Sequence, residues 1–105
     1  FPLQRWTVLR GYSYKLKHFF SDGGLDFVYI DGEHSYEAVS KDIADWWPKI
    51  SPGGILAGHD YNEGNPGSIR AVDEHAKTTS VEFKITGTSP EKGDADAPSW
   101  VFIKK

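Results

Sequence analysis

The chain has 105 residues, with 12 Lys and Arg against 15 Asp and Glu, a formal net charge of -3 and no cysteine. That length suits a single domain, 1–105, with one modest core. The missing cysteine excludes disulfides, thiolate metal sites and a cysteine nucleophile, so any metal must sit on oxygen or imidazole.

Lys and Arg are scattered, so the basic stripe that nucleic-acid binding needs is missing and nucleic acid is not an expected partner. No apolar run approaches the roughly 18 residues that span a bilayer, and the first residues carry no signal-peptide pattern. The expectation is a soluble chain with no membrane partner, compatible with a reducing cytoplasm. It starts at Phe1 rather than a methionine and reads as a fragment or a processed product.

In chain order, the apolar run Trp6 to Leu9 is expected as a strand. Tyr12, Leu16 and Phe19 then recur at helical spacing, with Ser13 placed to cap a short helix. Asp22-Gly23-Gly24 breaks it. Leu25 to Ile30, LDFVYI, is nearly continuous in apolar, strand-forming residues, the pattern of a strand buried on both faces of a parallel sheet.

That strand empties into Asp31-Gly32-Glu33-His34. Ser35 should cap the next helix, whose apolar stripe is Val39, Ile43, Trp46 and Ile50 and which Pro48 should end near Trp47. Ser51 to Gly54 reads as a turn, and Ile55 to Gly58 as a short buried strand ending in His59 and Asp60. Asn65-Pro66 opens a helix with Ile69, Val72 and Ala76 on one face. Val81, Phe83 and Ile85 alternate as a half-exposed strand, residues 89–98 form a polar loop, and Ser99 to Ile103 is a denser strand. His18 and His75 read as surface helix residues.

The order β-α-β-α-β-α-β-β predicts an α/β fold: a mostly parallel sheet flanked by helices, with an antiparallel pair of strands at the C-terminus. Open sheets of this kind bind ligands beyond the carboxyl ends of their strands, where Asp31 and His59-Asp60 both fall.

The succession DFVYIDGEHSYEAVSKDIADWWPKISPGGILAGHDY, residues 26–61, followed by NPGSIRAVDEHA, residues 65–76, resembles the second half of a class I S-adenosylmethionine-dependent methyltransferase. The resemblance implies a Rossmann-like methyltransferase half, with Trp6 to Leu9 as strand three, Leu25 to Ile30 as strand four and Ile55 to Gly58 as strand five. It implies S-adenosylmethionine as cofactor, with Gly11, Tyr12, Ser13 and Asp31 on its adenosyl side. In metal-dependent relatives the acid ending strand four and a pair ending strand five hold a cation such as Mg²⁺, which maps onto Asp31, His59 and Asp60. His34 stands where catechol-type relatives place a lysine base, and an imidazole exchanges protons near neutral pH. Asp31 and His34 are therefore the candidate catalytic residues, and a hydroxyl oxygen of a small-molecule substrate is the expected acceptor.

The glycine-rich loop after the family's strand one, and the acidic end of its strand two, have no counterpart here. In the family sheet strand one lies beside strand four, so the edge of LDFVYI is expected to be free. That edge predicts a homo-oligomer or strand-swapped dimer, and the alternative function is a truncated, non-catalytic methyltransferase-like module acting through oligomerisation.

Overall fold

The computed structural model describes residues 6–79, 81–86 and 98–105. Among these residues four strands, β1 (Leu25–Ile30), β2 (Ile50–Gly58), β3 (Glu82–Thr86) and β4 (Ser99–Ile103), form one sheet in the order β1-β2-β4-β3. β1 and β2 are parallel, and β4 runs antiparallel to both β2 and β3. This is a mixed α/β sheet with flanking helices, including the expected antiparallel pair.

The helices are α1 (Ser13–Leu16), α2 (Tyr36–Trp46) and α3 (Pro66–Thr78). α2 begins as its sequence dictates, because the Ser35 hydroxyl accepts from the Ala38 N–H at 3.1 Å. Pro48 cannot continue the α-helical hydrogen-bond ladder, and the chain passes into a 3-10 turn at Trp47–Lys49. Val39, Ile43 and Trp46 of α2 and Val72 of α3 are buried against Leu56 and Phe102 of the sheet. Trp100 is buried too, at 1% exposure, and a Cβ on Gly58 would run into its indole ring, so the end of β2 needs glycine.

Several expectations are corrected. Trp6 to Leu9 forms no strand, and Trp6 and Val8 are 70% and 76% exposed. Strand-forming residues do not make a strand without a partner for their backbone groups, and no described strand pairs with this segment. β1 is not buried on both faces: Val28 and Ile30 pack towards the helices, whereas Phe27 and Tyr29, on the opposite pleat, are 58% and 45% exposed. The contacts of α2 and α3 lie on the Leu56 and Phe102 face, and among the described strands β1 stands at the edge of the sheet.

Ser51 to Gly54 is not a turn before a strand. It belongs to β2 as an irregularity, with Leu25 opposite Ile50 and Phe27 opposite Ile55. Its backbone is paired across the sheet, the Lys104 N–H donating to Gly54 at 2.9 Å. Ser13 does not cap α1 but is its first residue, and Tyr12 holds the cap position. His75 is not a surface residue: its ring lies 5.0 Å from Trp47 and 4.7 Å from Phe102, and its Nε2 is buried. The expected polar loop falls, apart from Pro98, outside the described residues.

Candidate functional site

Parallel pairing brings two strand ends to one place. Ile30 sits opposite Gly58, and the His59 N–H donates to the Ile30 carbonyl at 3.2 Å, so Asp31 and His59-Asp60 leave the sheet side by side. Asp60 adopts a φ of 63°, a left-handed conformation uncommon outside glycine. In that conformation its two oxygens serve two imidazoles. Oδ1 lies 3.2 Å from His59 Nδ1, and Oδ2 lies 2.9 Å from His34 Nδ1. Asp31 Oδ1 is 3.8 Å from His59 Nδ1.

Donor atoms of Asp31, His59 and Asp60 all fall within 4.8 Å of one another. Two carboxylates and one imidazole make a donor set that suits a divalent cation, and the imidazole favours manganese, cobalt or zinc over magnesium. His34 joins this group from the loop after β1. Its Nδ1 lies beside Asp60 Oδ2, which leaves the Nε2 edge of the ring as the one not turned towards that carboxylate.

The His34 loop is held by α3. The Ser68 hydroxyl, almost wholly buried, donates to the His34 carbonyl at 3.3 Å. A Cβ on Gly67 would stand 2.6 Å from the Tyr36 amide nitrogen, so only glycine lets the first turn of α3 come this close. Neither residue stood out in the sequence, where both look like ordinary helix-start residues. Tyr61 and Asn62 do not face the cluster. The Tyr61 hydroxyl donates to Asp73 at 2.7 Å, its ring packs on Phe83, and burial together with that acceptor pushes its pKa up to about 12. Asn62 closes the loop onto Asn65.

Gly11, Ser13 and Asp31 line one cavity of about 250 Å³, floored by Leu16, Val28 and Trp46. Tyr12 is not in it. It stacks on Tyr14 at 5.4 Å and lines a neighbouring space of about 400 Å³. Between the two spaces stands Asp42, which the sequence reading passed over. The Ser13 hydroxyl donates to Asp42 Oδ1 at 2.8 Å, and burial raises the pKa of this carboxyl despite that bond. The available signal was a carboxylate three residues from Val39 on the same helix, at the margin of the apolar stripe.

Residues 2–61 match a family described as a methyltransferase domain. The chain belongs to this methyltransferase family. The general chemistry of the family is methyl transfer from S-adenosylmethionine. Two further likenesses accompany it. The methyltransferase chain is 38% identical over 39 residues to an uncharacterized protein, y4gI, of Sinorhizobium fredii, which covers 37% of this chain and 4% of that protein. It also superposes on a crystal structure of a protein from Corynebacterium glutamicum with a TM-score of 0.68 at 14% identity, covering 91% of this chain and 46% of that one. At that identity the second likeness supports the fold. The chain spans about half the length of the solved relative and a small fraction of the curated one. No helix among the described residues is long and apolar enough to cross a membrane.

Proposed function

We propose that the protein transfers a methyl group from S-adenosylmethionine to a hydroxyl oxygen of a small molecule, with His34 as general base. The observation that carries this reading is the Asp60 carboxylate shared between His34 and His59 at the ends of two adjacent strands. Methyl transfer is an in-line displacement: the carbon–sulfur bond breaks as the oxygen–carbon bond forms, and the acceptor must shed its proton. The chain's part is to align the acceptor and to take that proton. Nε2 of His34 receives it, and Asp60, beside the other ring nitrogen, orients the imidazole.

Asp31, His59 and Asp60 are the residues that would hold a divalent cation. A cation there would lower the proton affinity of the acceptor hydroxyl. Gly11, Ser13 and Asp31 would meet the adenosyl part of the cofactor in the 250 Å³ cavity.

The test is a methyl-transfer assay with labelled S-adenosylmethionine over matched phenols, aliphatic alcohols and amines, with Mn²⁺, Mg²⁺ or chelator present. Transfer to a hydroxylated acceptor that His34→Ala abolishes supports the reading. Transfer to amines alone, or transfer indifferent to His34, contradicts it.

A second reading, a non-catalytic module acting through oligomerisation, is favoured by the free edge of β1 and the exposed rings of Phe27 and Tyr29. Light scattering separates the two: a stable dimer that binds no S-adenosylhomocysteine supports the module, and a cofactor-binding monomer removes it.

A further inference from the structure

Two Asp-Gly steps occur in the chain, Asp22-Gly23 and Asp31-Gly32. At such a step the glycine nitrogen, with no Cβ beside it, can reach the carboxyl carbon of the preceding side chain. Exposure does not separate the two, since the Asp22 side chain is 75% exposed and that of Asp31 61%. Hydrogen bonding does. Asp22 Oδ1 is held by Lys49 Nζ at 2.9 Å, and the Gly23 N–H donates to the Pro48 carbonyl at 2.9 Å, so both reacting groups are tied to the 3-10 turn after α2. The bond from Lys49 also keeps the Asp22 carboxyl below its ordinary pKa, in the ionised form that gives up oxygen least readily. Asp31 has no such restraint. Its Oδ1 lies 3.8 Å from His59 Nδ1, beyond hydrogen-bond reach, and no backbone acceptor among the described residues takes the Gly32 N–H. Residue 31 also stands outside the sheet, whose pairing along β1 ends at Ile30.

We propose that Asp31-Gly32 is a site of spontaneous covalent modification, closing to a succinimide and reopening to isoaspartate in the folded chain while Asp22-Gly23 is spared. The Gly32 nitrogen bonds to Cγ of Asp31 and a Cγ–O bond breaks. The oxygen leaves as water, carrying the proton of that nitrogen and one drawn from the solvent. Water then adds back to the cyclic imide. Opening at Cγ restores aspartate, whereas opening at the main-chain carbonyl carbon leaves the chain running through Cγ as isoaspartate and returns the borrowed proton. The net change in mass is zero, and the step needs no oxidant, metal or partner. It is independent of methyl transfer. Its consequence falls on the site, because isoaspartate has one more carbon in its main chain and one fewer in its side chain, so the carboxylate is drawn from its place beside His59 and Asp60.

The experiment holds the protein at neutral pH for weeks, once in buffer where circular dichroism shows it folded and once in urea. Isoaspartate is then located by electron-transfer fragmentation, which gives distinct fragments for the lengthened main chain. In urea the tertiary bonds are gone, and the two steps convert at rates set by local sequence alone. The ratio of Asp31 to Asp22 conversion should be about tenfold or more higher in the folded chain than in urea, the factor that one hydrogen bond to a charged group supplies. Gly32→Ala, whose methyl group would meet nothing closer than Asp42 Oδ2 at 3.7 Å, should fold and lose most of the conversion at Asp31. A ratio that is equal in the two states or lower in the folded one overturns the proposal. So does a folded chain in which Asp31 does not convert, or conversion at Asp31 that Gly32→Ala leaves undiminished.

Discussion

Asp60 Oδ2 stands 2.9 Å from His34 Nδ1, and its Oδ1 stands 3.2 Å from His59 Nδ1. One carboxylate, held in a left-handed turn, thus links a candidate base to a candidate cation site. A base at His34 and a cation at Asp31, His59 and Asp60 would be coupled through it, and removing Asp60 should injure both.

The first prediction follows for catalysis. His34→Ala should lower the methyl-transfer rate by roughly two to four orders of magnitude, the usual worth of a positioned base, with S-adenosylhomocysteine affinity unchanged. Asp60→Asn should lower the rate as well and, unlike His34→Ala, also weaken Mn²⁺ binding. Steady-state kinetics and metal titration of both variants check this pair.

The second concerns metal choice. A site of two carboxylates and an imidazole should bind Mn²⁺ or Co²⁺ more tightly than Mg²⁺, and His59→Asp should narrow that difference. Manganese paramagnetic resonance, with Mg²⁺ as competitor, reads both constants. Equal affinities in the wild type would contradict the ranking.

The third is a packing prediction at α3. Gly67→Ala places a methyl group against the Tyr36 amide nitrogen, 2.6 Å away, and must push α3 from the His34 loop. The cost should be about 1–3 kcal/mol in denaturant unfolding, the range for overpacking. Activity should fall further than stability explains, because His34 moves with its loop. Gly58→Ala should be at least as costly, the added methyl meeting the Trp100 indole.

The fourth is a pH dependence. Burial lowers the pKa of His75 below its ordinary 6.5. The folded state therefore holds this imidazole neutral more strongly than the unfolded chain does. Its contribution is fully present above pH 6.5 and is lost as pH falls from there through the lowered folded-state value. His75→Phe, which keeps a ring against Trp47 and Phe102, should flatten the fall in melting temperature between neutral and mildly acidic pH. An unchanged profile would place the pH sensitivity elsewhere.

The fifth is a stability prediction. Burial raises the pKa of Asp42 above 3.8, so the ionised side chain opposes folding at neutral pH. Asp42→Asn should raise the melting temperature at pH 7, and the gain should shrink as pH falls towards the carboxyl range, where Asp42 itself becomes neutral.

The sequence carried the strand ends and the polar residues that follow them. LDFVYI running into Asp31, and ILAG running into His59-Asp60, needed only apolar patterning and polar punctuation to be read, and Ser35 and Pro48 marked both ends of α2. What it concealed depended on partners distant in sequence. Trp6 to Leu9 has strand composition, but no strand among the described residues pairs with it. Phe27 and Tyr29 look buried in a string of apolar letters, yet the contacts of α2 and α3 lie on the opposite pleat. Ser51 to Gly54 has turn chemistry, but its backbone is paired with Lys104. Asp42 meets Ser13 across 29 positions of chain, and Gly67 meets Tyr36 through a close approach that composition does not encode.

The most direct test of the central claim is calorimetric titration of the folded protein with S-adenosylhomocysteine, with and without Mn²⁺, alongside Asp31→Ala. Binding at micromolar strength that Asp31→Ala weakens at least tenfold is the predicted result, since Asp31 both lines the 250 Å³ cavity and stands in the cluster with His59 and Asp60. Absence of heat from a sample shown to be folded, or binding indifferent to Asp31, would contradict the account.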